Sequence, residues 1–196
     1  MDAVGAHVSG RTATRRWMRE SLLAVGTAFV LVVLAQALVV DVSTVSSGSM
    51  SPTLLLGDSV LVNRLLYRLH PPRRGDIILF RFPQADGREF VKRVIALPGD
   101  TVEEQDGRFR VNGTPVRTLS PDRPAQGVSG ALNLAPYRIP AGQFYVLGDN
   151  QEASLDSRLW GTVDERNVIG KAFLVIWSRG NHWWHVRWSR IGRRLP

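Results

Sequence analysis

The chain has 196 residues, with 25 Lys and Arg against 17 Asp and Glu, a net charge of +8, and no cysteine. That length accommodates one membrane segment and one domain of roughly 150 residues, and the missing cysteine excludes thiol nucleophiles, disulfides and thiolate-held metals. The arginines stand singly, as Arg64, Arg68, Arg81, Arg88 and Arg108 do, which reads as a solvated basic surface rather than a nucleic-acid face.

Residues 1–20 form a basic N-terminus carrying Arg11, Arg15, Arg16 and Arg19. Ser21 to Val40 follows without a charge and has the length of a single bilayer span, about 30 Å as a helix. Arginines before it and Asp41 after it predict a cytoplasmic N-terminus and an extracytoplasmic remainder. A cleaved signal peptide ending at Ala35-Gln36-Ala37 is the competing reading, but the apolar run outlasts an ordinary h-region.

From residue 41 the pattern shortens to strand-like segments. Ser59–Asn63, Ile77–Phe82 and Phe90–Leu97 are predicted strands, the last ended by Pro98-Gly99 in a type II turn. Arg108–Val111 and Thr114–Val116 flank Asn112-Gly113, whose residues suit the two positive φ angles of a type I′ hairpin. Gln143–Leu147 and Lys171–Trp177 complete the set. Residues 41–196 are therefore expected to form a mainly β, folded-over or barrel-like domain. Arg117 to Ala135 lacks any period and is expected to be an irregular surface excursion. The tail carries Trp177, Trp183, Trp184 and Trp188 among arginines, which fits either a membrane-interface contact or packing on the β core.

The catalytic inventory is narrow. His7, His70, His182 and His185 all lack a setting for serine–histidine chemistry, and His182 and His185 have no acidic third ligand nearby for zinc. Of the 25 basic residues only Lys92 and Lys171 are lysine. Alternation places Phe90, Lys92 and Val94 on one face of a strand, where desolvation lowers an amine's pKa and fits it to take a proton from a serine. Arginine cannot do this, because its guanidinium stays charged. The plainer reading is a lysine snorkelling to water. Ser46, Ser47, Ser49 and Ser51 likewise read as turn residues or as nucleophile candidates, and spacing does not choose among them.

The motifs go further. Ser47-Gly48-Ser49-Met50-x-Pro52-Thr53-Leu54, Gly57-Asp58, Arg74-Gly75-Asp76-Ile77, Lys92-Arg93-Val94-Ile95-x-Leu97-Pro98-Gly99-Asp100 and Gly148-Asp149-Asn150 with Ser154-x-Asp156-Ser157-Arg158 occur in this order behind an apolar run. Together they resemble the type I bacterial signal peptidases from Ser43 to Gly161. The resemblance implies Ser49 as nucleophile and Lys92 as general base, with Ser47 and the Ser49 N–H as oxyanion hole. It implies that Ser154 orients the lysine, that Asp156 and Arg158 support that loop, and that Val45, Met50, Leu54, Phe90 and Val91 contact substrate at a pocket for a small side chain. It further implies signal peptides of exported preproteins and the lipid bilayer as partners, no cofactor or metal, and a single-pass protein of the bacterial cell membrane. Gln151-Glu152-Ala153 departs from the family's usual Arg and Asp-Asn in this loop, and Ala96 stands where Gly is commoner. Two other functions remain open at this level: a dedicated or self-processing serine–lysine protease, and an inactive membrane-tethered β module.

Overall fold

The computed structural model describes residues 17–30, 39–82, 87–105, 108–116, 134–180, 182 and 184–196. The chain divides into two compact units, Met1–Val39 and Val40–Pro196. In the first, residues 17–30 are helical (α1). Among the described residues no helix is long and apolar enough to cross a membrane. Residues 31–38 of the predicted span lie outside the described residues, and its last residue, Val40, opens a strand instead.

Among the described residues the second unit has eleven strands, all paired antiparallel. A seven-stranded sheet runs in the order β1 (Val40–Thr44), β2 (Asp58–Asn63), β11 (Val168–Ser178), β3 (Ile77–Arg81), β4 (Glu89–Ala96), β9 (Gln143–Leu147), β10 (Val163–Asp164). A four-stranded sheet runs β7 (Thr114–Pro115), β6 (Arg108–Val111), β5 (Thr101–Gln105), β8 (Tyr137–Arg138). The mainly β expectation holds, but no closed barrel forms. β1 and β10 end the large sheet as unjoined edges, so the sheet does not meet itself.

Local chemistry explains the turns. Leu97 O accepts from Asp100 N–H across Pro98-Gly99, with Gly99 at φ +84°, as a type II turn requires. Asn112 and Gly113 take φ of +52° and +75°, so β6 and β7 join in the predicted primed turn. β3 reads Ile-Ile-Leu-Phe because both of its faces are covered. Ile77 and Leu79 join a cluster with Val60, Val62, Met50, Leu54 and Val175, while Ile78 and Phe80 join Val94, Phe144 and Val146 on the other face. A third cluster, with Val102, Phe109, Ile139 and Tyr145, packs the small sheet against β4 and β9. Of the expected excursion Arg117 to Ala135, residues 117–133 lie outside the described residues.

The tail folds back on β11. Val175 N–H donates to Arg193 O and Leu195 N–H donates to Phe173 O, which carries Arg190 under the loop between β1 and β2. There the Arg190 guanidinium donates to both oxygens of Asp58, at 2.6 Å from Oδ2, and to Thr53 O at 2.8 Å. Burial works to raise the Asp58 carboxyl, but bonds from Arg190, the Leu55 N–H and Ser178 outweigh it and hold Asp58 below the usual range. Trp184 and Trp188 are exposed, and Trp188 meets Trp177 edge to face at 6.1 Å.

Candidate active site

Ser49 lies in the loop between β1 and β2, and Lys92 lies in the middle of β4. β4 sits between β3 and β9, so the lysine is on an interior strand, opposite Ile78 and on the face of Phe90 and Val94. Its side chain is 1% exposed and does not reach water. Nζ lies 2.6 Å from Ser49 Oγ and 5.8 Å from the centre of the Phe90 ring. Burial pulls the amine down from the ordinary lysine value of 10.5; Asp156 opposes that shift, Arg158 adds to it and Asp149 opposes it, leaving the group at about 8.

The hydroxyls of Ser47 and Ser49 are 3.1 Å apart. The Ser49 N–H donates to no group among the described residues, whereas the neighbouring Ser51 N–H donates to Gly48 O and closes the turn. One hydroxyl and one free amide thus flank the Ser49 oxygen.

The loop that carries Ser49 is held by Gly148-Asp149-Asn150. The Asn150 N–H donates to Ser49 O at 2.9 Å and its side-chain amide to Gly48 O at 3.1 Å. Arg93, next to the lysine on β4, grips Asp149 through two bonds of 2.7 Å and donates to Gly75 O at 2.8 Å. Sequence reasoning assigned no role to Arg93, Asp149 or Asn150. The usable signal was that Arg93 abuts Lys92 and Asp149 precedes the serine loop.

Asp156 and Arg158 form a buried pair, Nε to Oδ1 at 2.8 Å. Asp156 also accepts from the Gly148 N–H, and Arg158 donates to Gln151 O at 2.7 Å, so the pair knots residues 148–158 together. The short helix α3 (Ser157–Trp160) ends this knot by setting Trp160 against Phe82 and Phe90. Ser154 is buried beside it, but its Oγ has no hydrogen-bond partner among the described residues and does not engage the lysine. In the departing segment, Gln151–Ala153 forms one 3-10 turn with Gln151 buried and Glu152 exposed.

A cleft of about 310 Å³ opens at Ser49. Val45, Met50, Phe90 and Val91 line it together with Ser47 and Thr44. Leu54 does not line it: the residue is fully buried behind Met50 in the core. Among the described residues no three His, Asp or Glu side chains gather as a metal site.

A family model described as signal peptidase, peptidase S26, matches residues 18–177. The chain belongs to this family. A Signal peptidase I from Leptolyngbya laminosa is 36% identical over 167 residues, 82% of this chain and 80% of its own. A Probable signal peptidase I-1 from Synechocystis is 35% identical over 90% of this chain and 88% of its own. A Signal peptidase IB from Staphylococcus aureus is 32% identical over 83% of this chain and 91% of its own.

In this member of the peptidase S26 family, Gly148 marks where the two loops touch. A Cβ there would collide with Ser154 Oγ and with the backbone oxygen of Ser49. Backbone cannot yield as a side chain does, so Gly148→Ala is expected to displace Ser49 and to lower peptide cleavage by about 10²-fold, with far-UV circular dichroism unchanged. Cleavage within a few-fold of the parent would show that the loops separate freely.

Proposed function

We propose that this protein is a membrane-anchored serine endopeptidase that removes signal peptides from exported preproteins after a small-x-small motif. The contact between the buried Lys92 amine and Ser49 Oγ carries this reading. With its amine at about 8, a useful fraction of Lys92 is neutral at physiological pH. The neutral nitrogen takes the Ser49 proton as Oγ attacks the scissile carbonyl, and the developing oxyanion receives the Ser49 N–H and the Ser47 hydroxyl. Lys92 then returns the proton to the leaving amine, and water later releases the acyl group by the same base. Val45, Met50, Phe90 and Val91 bound the substrate cleft with medium-sized apolar groups, which favours alanine-sized side chains by excluding larger ones.

The apolar run that ends at Val40 supplies the anchor, with the basic N-terminus in the cytoplasm. Ser49 lies nine positions after Val40, a reach of at most about 30 Å, which keeps the nucleophile near the outer membrane face where a signal peptide presents its cleavage site.

The direct test incubates the purified protein, and its Ser49→Ala form, with a preprotein and reads the new N-terminus by mass spectrometry. A single cut after a small-x-small motif, absent with Ser49→Ala, is expected; cleavage that survives Ser49→Ala at parental rate refutes the mechanism. The rate should also carry the lysine's titration. Because the base works only when neutral, kcat/KM is expected to rise about tenfold per pH unit below about 8 and to level off above it. A profile flat from pH 6 to 9 would exclude Lys92 as the base.

A further inference from the structure

Arginines that stand apart along the chain meet in the fold, away from the catalytic cleft. Arg64 just after β2, Arg68 on α2 (Leu66–Leu69), Arg81 at the end of β3 and Arg166 in the turn before β11 line one cleft of about 210 Å³, with Glu165 as the acid in its wall. Arg64 is 3.5 Å from Asp41, and Arg166 is 2.7 Å from Asp164. Arg68 and Arg81 form no ion pair among the described residues, although Glu89 stands opposite Arg81 in the β3–β4 ladder. Buried charge nearby is already neutralised, since Asp76 takes Lys171 at 2.6 Å and the Tyr67 hydroxyl at 3.0 Å. The cleft therefore keeps a small positive surplus, four guanidinium groups against Asp41, Asp164 and Glu165, and the planar forks of these groups match the oxygens of a phosphate.

Two further observations select the source of that phosphate. Leu65 and Leu69 alternate with the arginines in the same short segment and are 39% and 68% exposed, an apolar fringe of no use to a free phosphate ion but suited to an acyl boundary. Asn63, the residue before Arg64, pairs with Val40, the last residue of the apolar run proposed as the anchor. The cleft consequently lies at the end of β1 where the chain arrives from that anchor. The other end of β1 leads into Ser43, Thr44 and Val45 at the wall of the substrate cleft, about 15 Å away along the strand.

We propose that this cleft binds the phosphate of an anionic phospholipid headgroup, with Leu65 and Leu69 against the acyl chains, and so sets the height of the catalytic cleft above the bilayer. The proposal rests on the anchor reading given above, because an anchored chain holds the cleft at headgroup level.

The test uses the full-length protein in detergent micelles doped equally with phosphatidylglycerol and phosphatidylcholine, with retained lipid counted by native mass spectrometry. Retention of phosphatidylglycerol about tenfold or more above phosphatidylcholine is expected. Arg68→Gln/Arg81→Gln should lose that preference, whereas Arg110→Gln/Arg138→Gln on the small sheet should keep it. Equal retention of the two lipids, or an unchanged preference in the Arg68/Arg81 variant, overturns the site. Displacement of the lipid by millimolar inorganic phosphate assigns the cleft to free phosphate and overturns it as well. Peptide cleavage in the same micelles should be equal in all forms. Absent cleavage with retained lipid preference would sink the peptidase reading alone, and recovery of the chain in the soluble cell fraction would sink the anchor.

Discussion

Replacing Lys92 by Met is expected to make the protein more stable and nearly inactive. The amine is buried and its folded value of about 8 lies below the 10.5 of an ordinary lysine, so the folded state binds its proton less well than the unfolded chain does. The resulting cost is fully present below pH 8, shrinks as pH rises from 8, and disappears above about 10.5. At pH 7 it amounts to about 3 kcal/mol. Methionine has nearly the same length and carries no charge, so Lys92→Met removes that cost and loses one hydrogen bond to Ser49 worth about 1 kcal/mol. The net gain of about 2 kcal/mol should raise Tm by about 4–8 °C at neutral pH, and by less at pH 10. Meanwhile kcat/KM should fall by about 10³-fold or more, because no other described group contacts the Ser49 oxygen in a position to accept its proton. Lys92→Arg separates charge from proton acceptance: it should be as inactive as Lys92→Met, without the gain in stability. A Lys92→Met protein that is both active and no more stable would mean that the amine is neither buried nor the base.

The second large effect concerns Ser47. As a mere turn residue in a loop rich in serine and glycine, it should tolerate alanine within a few-fold. As a donor 3.1 Å from the nucleophile's oxygen, it should not. Ser47→Ala is expected to lower kcat by about 10²–10³-fold with KM nearly unchanged, because the hydroxyl is needed where charge develops rather than where substrate rests. Ser47→Thr keeps a hydroxyl and should recover part of the rate. Equal losses in Ser47→Ala and Ser47→Thr, accompanied by a raised KM, would instead mean that the side chain shapes the loop.

Much of the fold was legible because its rules are local. Strands at residues 77–81, 90–96 and 143–147, the Asn112-Gly113 hairpin and the Pro98-Gly99 turn follow from alternation and from backbone angles that only certain residues tolerate. Local rules also fail in a consistent way. Val40–Thr44 reads as the end of an apolar run and a loop, yet it is a strand, because β2 offers it a complete ladder from Val40↔Asn63 to Thr44↔Ser59. The strand Thr101–Gln105 went unread because Glu103, Glu104 and Gln105 obscure its alternation, while Val102 and Glu104 both turn inward. The Trp- and Arg-rich tail reads as either an interfacial contact or packing on the β core, and neither reading contains the bond of Arg190 to Asp58, 132 residues earlier. A sequence pattern does not show a bond of that span.

The amino-acid sequence by itself determined the chemistry available to this protein: serine and lysine without cysteine or a usable histidine, a β domain punctuated by specific turns, and motifs in an order that marks the peptidase S26 family. It left four serines equivalent and left Lys92 free to snorkel or to be buried. Tertiary structure decided both. Interior pairing of β4 between β3 and β9 removes the lysine from water, and the hold of Asn150 on Gly48 and Ser49 brings one serine oxygen to its nitrogen. The same folding gathered scattered arginines into one cleft. In each case the deciding energy comes from neighbours far away along the chain, since desolvation and hydrogen-bond geometry depend on what surrounds a group in space.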